Sequence, residues 1–172
     1  MRIRTVVAAL AGVSTLLLSA APASATAGQK QTLTGVFTTV NGVDWPVTAI
    51  GTGPVSGAAT ETQTMTPTAA GGIIKAVFHF SKGDFRVTFT ETDTVTPDTT
   101  TCLATLVGTG TWVVTGGTGR YSRATGHGTF TNNGLIVGPR DASGACAGPE
   151  SATPPPVVVA RVVAVGTLNL HR

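Results

Sequence analysis

Apolar and polar residues alternate along much of this chain with a period of two. In IIKAVFHFSKGDFRVTFTE, Ile74, Ala76, Phe78 and Phe80 fall on one side, and Lys75 and His79 fall on the other. Past Ser81-Lys82-Gly83 the pattern resumes, with Phe85, Val87 and Phe89 set against Arg86, Thr88 and Thr90. Successive side chains of an extended strand point to opposite faces, so this stretch predicts a β-hairpin with one apolar face. Further strands are expected at residues 31–39, 46–51, 55–65, 102–107, 111–115, 126–131 and 157–170. The last of these, VVVARVVAVGTLNL, is apolar on both faces except at Arg161, and its β-branched density after Pro154-Pro155-Pro156 favours strand over helix. Asn41-Gly42 suits a two-residue hairpin turn, whose central positions need positive φ, and Asn133-Gly134 reads as another. Residues 93–101 and 135–156 are polar or rich in Pro and Gly and read as loops. Beyond the first 25 residues no window repeats apolar residues at helical spacing. The expectation is an all-β domain of about nine extended segments, arranged as an antiparallel barrel or sandwich.

Composition agrees: 32 threonines and 22 glycines in 172 residues favour extended chain over helix. The opening MRIRTVVAALAGVSTLLLSAAPASA changes the picture by placing the protein outside the cell. Arg2 and Arg4 precede an apolar stretch from Val6 to about Ala21, and Ala23-Ser24-Ala25 offers a small-residue cleavage site. This is the pattern of a secretory signal peptide at residues 1–25, and its apolar stretch is shorter than the roughly 20 residues that span a bilayer. Residues 26–172 are then one secreted domain, with no membrane association after cleavage. Two of the eleven Lys and Arg lie in the leader, so the remaining basic side chains nearly balance the eight acidic ones. With no basic run to displace counterions, nucleic acid is not an expected partner. In an exported chain the two cysteines, Cys102 and Cys146, read as a disulfide rather than a metal pair or a catalytic thiol. Two sulfurs without further ligands at suitable spacing make a poor zinc site, so no metal is expected.

One stretch invites a specific chemistry. WVVTGGTGRYSRATG, residues 112–126, begins like a dinucleotide-binding strand and glycine turn. A nucleotide site needs a helix whose N-terminus meets the pyrophosphate. Here Gly116 and Gly119 occupy two of the fingerprint positions, but Ser122 holds the third, and the glycine-rich continuation ATGHGTFTNNG cannot sustain a helix. Gly116, Gly117 and Gly119 are better read as a sharp reversal between strands. Tyr121 and Ala124 would tuck against the end of the fold, and Gly126 and Gly128 would permit curvature. No cofactor is expected.

The same segment, GTGTWVVTGGTGRYSRATGHGTF from Gly108 to Phe130, resembles the GGTGxFxxAxGxG segment of dirigent proteins, allene oxide cyclases and related exported bacterial proteins. The likeness covers about 23 residues, which counts only the quoted stretch. It implies an eight-stranded antiparallel barrel with a central cavity. In those families the segment is structural, so it implies a barrel and not a catalytic residue.

Candidate chemistry outside this segment is sparse. Glu91 continues the Phe85, Val87, Phe89 face and would place a carboxylate at a barrel mouth; the favoured reading ends the strand before it and leaves it in water. Glu61 poses the same choice. His79 and His127 lack an evident acid/base partner, Ser122 lacks a supporting His and Asp, and Arg120 and Arg123 read as a solvated turn. Trp45 and Trp112 read as packing residues. No catalytic residue is assigned. The function expected is a non-catalytic binding or structural module, with an apolar small molecule as its partner. The alternative is a cyclase-like or dirigent-like enzyme that positions such a molecule in the lumen.

Overall fold

The alternating segments do form strands, and these strands close on themselves. The structure is a computed structural model describing residues 28–40, 43–147 and 155–171. The expected signal peptide and the expected turn at Asn41-Gly42 lie outside these residues, as does the side chain of Trp45. Eight strands follow in chain order: β1 (Gln29–Val40), β2 (Val43–Thr52), β3 (Gly57–Thr68), β4 (Gly71–Phe80), β5 (Gly83–Asp98), β6 (Leu103–Gly117), β7 (Ala124–Val137) and β8 (Val157–Leu170). Each pairs antiparallel with the next, and β8 returns to β1 from Gln29↔Leu168 to Val40↔Val157. The result is a closed, eight-stranded antiparallel barrel. Closure satisfies the edge hydrogen bonds that an open sheet would leave exposed.

Nine expected segments become eight because residues 102–107 and 111–115 belong to one strand. Gly108 and Gly110 continue the β6–β7 ladder opposite Asn132 and Phe130. They point inward, where the absence of a side chain makes room for neighbours: a Cβ on Gly110 would stand 2.7 Å from the Phe130 ring. Two loops also prove shorter than expected. β5 continues to Asp98, and β7 runs through Asn133-Gly134 to Val137. The turn read at Asn133-Gly134 is therefore corrected, since pairing with β6 and β8 on both sides overrides a local turn preference. A Cβ at Gly134 would stand 2.7 Å from that of Ala160.

The two ends of the barrel differ. The lower end, where β1 begins, is filled. Phe80 and Phe85 each meet Tyr121 edge-on, at ring separations of 5.9 and 6.0 Å. Gln31, also buried there, is fully paired: its amide donates to the Val55 and Thr32 carbonyls and accepts from the Val55 N–H, each at 2.9 Å. Trp112 lies across Gly128 and Gly166, and its indole N–H donates to the Val165 carbonyl at 3.2 Å.

The TGGTG stretch forms the floor of this end. Beyond Gly117 a single 3-10 turn, Gly119–Tyr121, swings Tyr121 beneath the core, where it is 1 % exposed. Gly119 has φ +53°, and Gly116 has φ +146°. The Thr118 and Arg120 N–H groups bond to the Asp84 and Lys82 carbonyls, which seals the turn against the β4–β5 hairpin. Gly126 lies within β7, where a Cβ would stand 2.5 Å from the Thr167 carbonyl oxygen.

At the upper end Cys102 and Cys146 form a disulfide, with Cα atoms 5.1 Å apart. It ties the β5–β6 turn to the β7–β8 connection, two segments that the ladders alone leave independent. Cys102 is itself a turn residue rather than the start of a strand, with φ +61°.

Candidate functional site

Following the inward positions upward from the aromatic floor, the filling becomes incomplete. A cavity of ≈ 170 Å³ occupies the upper half of the lumen. Its walls are mostly apolar, with Leu33, Val47, Phe78, Phe89 and Phe130 prominent and the small residues Gly35, Ala49 and Ala164 leaving the space between them. Phe89 and Phe130 meet edge-on at 5.1 Å and support one wall.

The opening follows from strand register. β2 and β3 pair only from Val47↔Glu61 to Gly51↔Gly57, whereas β3 and β4 pair from Ala59↔Phe80 to Thr68↔Gly71. Above Glu61, then, β3 continues without β2 among the described residues. Met65, which lines the cavity on that side, is 52 % exposed. Pro46 stands in β2 beside the irregularity in the β1–β2 ladder, a place where a missing N–H costs little.

Five polar side chains reach the cavity: Glu61 and Gln63 from β3, Glu91 and Asp93 from β5, and Asn132 from β7. Both glutamates are buried, Glu61 at 8 % exposure and Glu91 at 5 %. The favoured expectation that Glu91 lies in water past the end of its strand is thus corrected. β5 continues, the period-two alternation continues with it, and Glu91 takes the next inward position after Phe89. Its partner across β6 is Gly110, and the neighbouring inward glycine, Gly108, could carry no Cβ without striking the Glu91 and Asp93 carboxylate oxygens.

Burial governs the chemistry of these acids. Desolvation raises the Glu61 pKa from 4.5 to about 8. Among the described residues Glu61 has neither a hydrogen bond nor an ion pair. Glu91 is raised to about 7, chiefly by burial; a hydrogen bond from Asn132 Nδ2 at 3.0 Å opposes the rise, and the adjacent Asp93 adds to it. Two acceptor atoms, Asp93 Oδ1 and Asn132 Oδ1, are buried without a partner. The contrast with Gln31 is informative, because in the same barrel one buried polar group is saturated while this cluster is left open.

Asp93, Asn132, Gln63 and Gly108 were not singled out from sequence. A signal was present in the outward threonines 88, 90, 92, 94 and 96, which extend the alternation of β5 well past Phe89. Other candidates lie elsewhere. On the outer wall His79 Nδ1 pairs with Asp84 Oδ1 at 2.9 Å, and Nε2 lies 3.2 Å from Thr62 Oγ1. The histidine therefore has a carboxylate partner that the sequence did not show, although both it and Thr62 are exposed to solvent. Arg120, Ser122 and Arg123 border a groove outside the floor, at the end opposite the glutamates. His127 points outward from β7 and is exposed. Among the described residues no group of three or more His, Cys, Asp or Glu is placed to hold a metal ion.

No model of a known protein family matches the chain, and neither a curated protein nor a solved structure matches it.

Proposed function

We propose that this is an exported small-molecule-binding barrel, whose upper lumen receives a compact and mainly apolar molecule beside Glu61 and Glu91. One observation carries the reading: the lumen is packed solid below and hollow above. An eight-stranded barrel is just wide enough for side chains to fill its interior, so a purely structural barrel has no need of a hollow half. Here small residues keep ≈ 170 Å³ free. That is slightly more than the roughly 150 Å³ of an apolar cavity known to accept benzene. The size suits a ligand of about one ring, or the end of a longer molecule that emerges past Met65.

The likeness of residues 108–130 to the dirigent and allene oxide cyclase segment supports a ligand-holding barrel, and the disulfide is compatible with export. A second reading, an enzyme of cyclase-like or dirigent-like type, is favoured by the two glutamates whose proton affinities are pushed toward neutrality within an apolar pocket. General acid/base catalysis uses such groups.

Thermal stabilisation by one-ring probes tests the binding reading. Benzyl alcohol at millimolar concentration is expected to raise the melting temperature, and Ala49→Leu, which fills the cavity, is expected to fold yet lose the response. A response that survives in Ala49→Leu would place the ligand elsewhere and overturn the proposal.

A further inference from the structure

Resting on the lumen-binding reading, we infer that the ligand is an organic amine: its ammonium group is received by the Glu61 and Glu91 carboxylates, and its hydrocarbon body lies against Phe78, Phe89 and Phe130. The argument begins with the balance of donors and acceptors. Among the described residues, only those of β3 and β5 bring titratable groups to the cavity, namely Glu61, Glu91 and Asp93. The described lining residues of β1, β2, β4, β6, β7 and β8 are uncharged, and no Lys, Arg or His is among them. Asn132 already directs its N–H to Glu91, which leaves its own oxygen a buried acceptor without a donor, and Asp93 Oδ1 has none beyond a proton shared with Glu91. Leaving a buried acceptor unmet is costly. Glu61, more than nine-tenths buried and unpartnered among the described residues, borders the same space.

Two buried acceptors here lack a partner among the described residues, and a cation supplies donors and charge together. An anion would meet three acidic side chains with no cationic one to offset them among the described residues. A divalent metal has no group of three ligands among the described residues. A neutral alcohol would satisfy one acceptor and leave the acidic cluster uncompensated. Phenyl rings beside the carboxylates favour a cation further, since ammonium groups are attracted to aromatic faces, most strongly where water is excluded. Gly108 keeps β6 clear of the acids, where any side chain would strike the Glu91 and Asp93 oxygens.

Binding an ammonium group requires a carboxylate, so a proton must leave as the ligand enters. Glu61, with its pKa raised to about 8, is largely protonated at pH 7, and pairing with a cation ionises it. Amine binding is therefore expected to release close to one proton per ligand near pH 7, and the release should shrink as pH rises through 8.

Calorimetry of the disulfide-bonded exported protein with benzylamine, benzyl alcohol and benzoate tests the inference, with each titration run in two buffers of different ionisation enthalpy. Benzylamine should bind about tenfold or more tightly than benzyl alcohol, as expected for one charge-assisted bond in a desolvated site, and benzoate should bind least. Glu61→Gln, which keeps size and removes charge, should erase most of the amine's advantage over benzyl alcohol and the proton release. Glu91→Gln provides a second variant should the first fold poorly. Equal affinity for amine and alcohol, or an amine preference that persists in both variants, would overturn the amine assignment and leave the lumen reading standing. Absence of binding by all three probes would overturn both.

Discussion

An acid buried without a partner should make the stability of this barrel fall as pH rises, and Glu61→Gln should remove that dependence. Glu61 titrates near 4.5 in the unfolded chain and near 8 in the folded one. Between these values the unfolded state has released a proton that the folded state keeps, so the free energy of unfolding declines with pH. The contribution is fully present below pH 4.5 and is lost as pH passes 8. The slope is about 1.4 kcal/mol per pH unit, so the whole shift corresponds to about 5 kcal/mol, of which about 3 kcal/mol is already gone at pH 7. Such a loss is a large fraction of the 5–15 kcal/mol typical of a domain, roughly a third or more. Glutamine has nearly the same shape and stays neutral. Urea denaturation of wild type and Glu61→Gln from pH 5 to pH 9 isolates the effect, because the other titrating groups are common to both proteins. The variant should match wild type near pH 5 and exceed it by several kcal/mol at pH 9, with an unchanged dependence on urea. Parallel profiles across that range would refute the claim that Glu61 is buried without compensation.

Two further outcomes test the scaffold. Replacing Cys102 and Cys146 together by serine opens a loop spanning 44 residues of sequence separation and should lower stability by about 4 kcal/mol in the chain-entropy account, as read by denaturation. Non-reducing peptide mapping of the wild type should recover the linked pair. Gly119→Ala places a Cβ 2.5 Å from the Lys82 carbonyl oxygen at a φ of +53°, so its melting temperature should drop by an amount equivalent to 1 kcal/mol or more, about the usual cost of strain at such a position. NAD at millimolar concentration should leave wild-type melting unchanged, since the glycines build a floor and not a phosphate cradle.

How much of this was legible in the sequence depended on whether the cue was local. The Ile74–Phe89 hairpin could be read directly, because its alternation is strong and its turn short. The TGGTG reversal could also be read, since Gly119 stands where positive φ is needed. Asn133-Gly134 misled for the opposite reason: its turn preference is local, and the paired strands on either side outweigh it. Gly108-Thr109-Gly110 looked like an interruption because glycine disfavours strands, yet inward glycines are what allow Phe130 and the acids to occupy the lumen. Glu91 was hardest. A carboxylate after an apolar run reads as the end of the strand, although the threonines at 90, 92, 94 and 96 carry the alternation on and the paired strand keeps the next alternate position after Phe89 facing inward. Asp93 follows it two positions on along β5, but Asn132 reaches it from β7, a juxtaposition created by β5–β6–β7 register and by no spacing along the chain.

The central claim is that the upper lumen holds a small molecule beside Glu61 and Glu91, and a crystal structure of the disulfide-bonded protein equilibrated with benzylamine tests it most directly. The expected result is one ring against Phe78, Phe89 and Phe130, with the amine nitrogen about 3 Å from a glutamate oxygen, the distance of a charge-assisted hydrogen bond. A lumen holding water alone, or a probe bound only on the outer wall, would contradict the account.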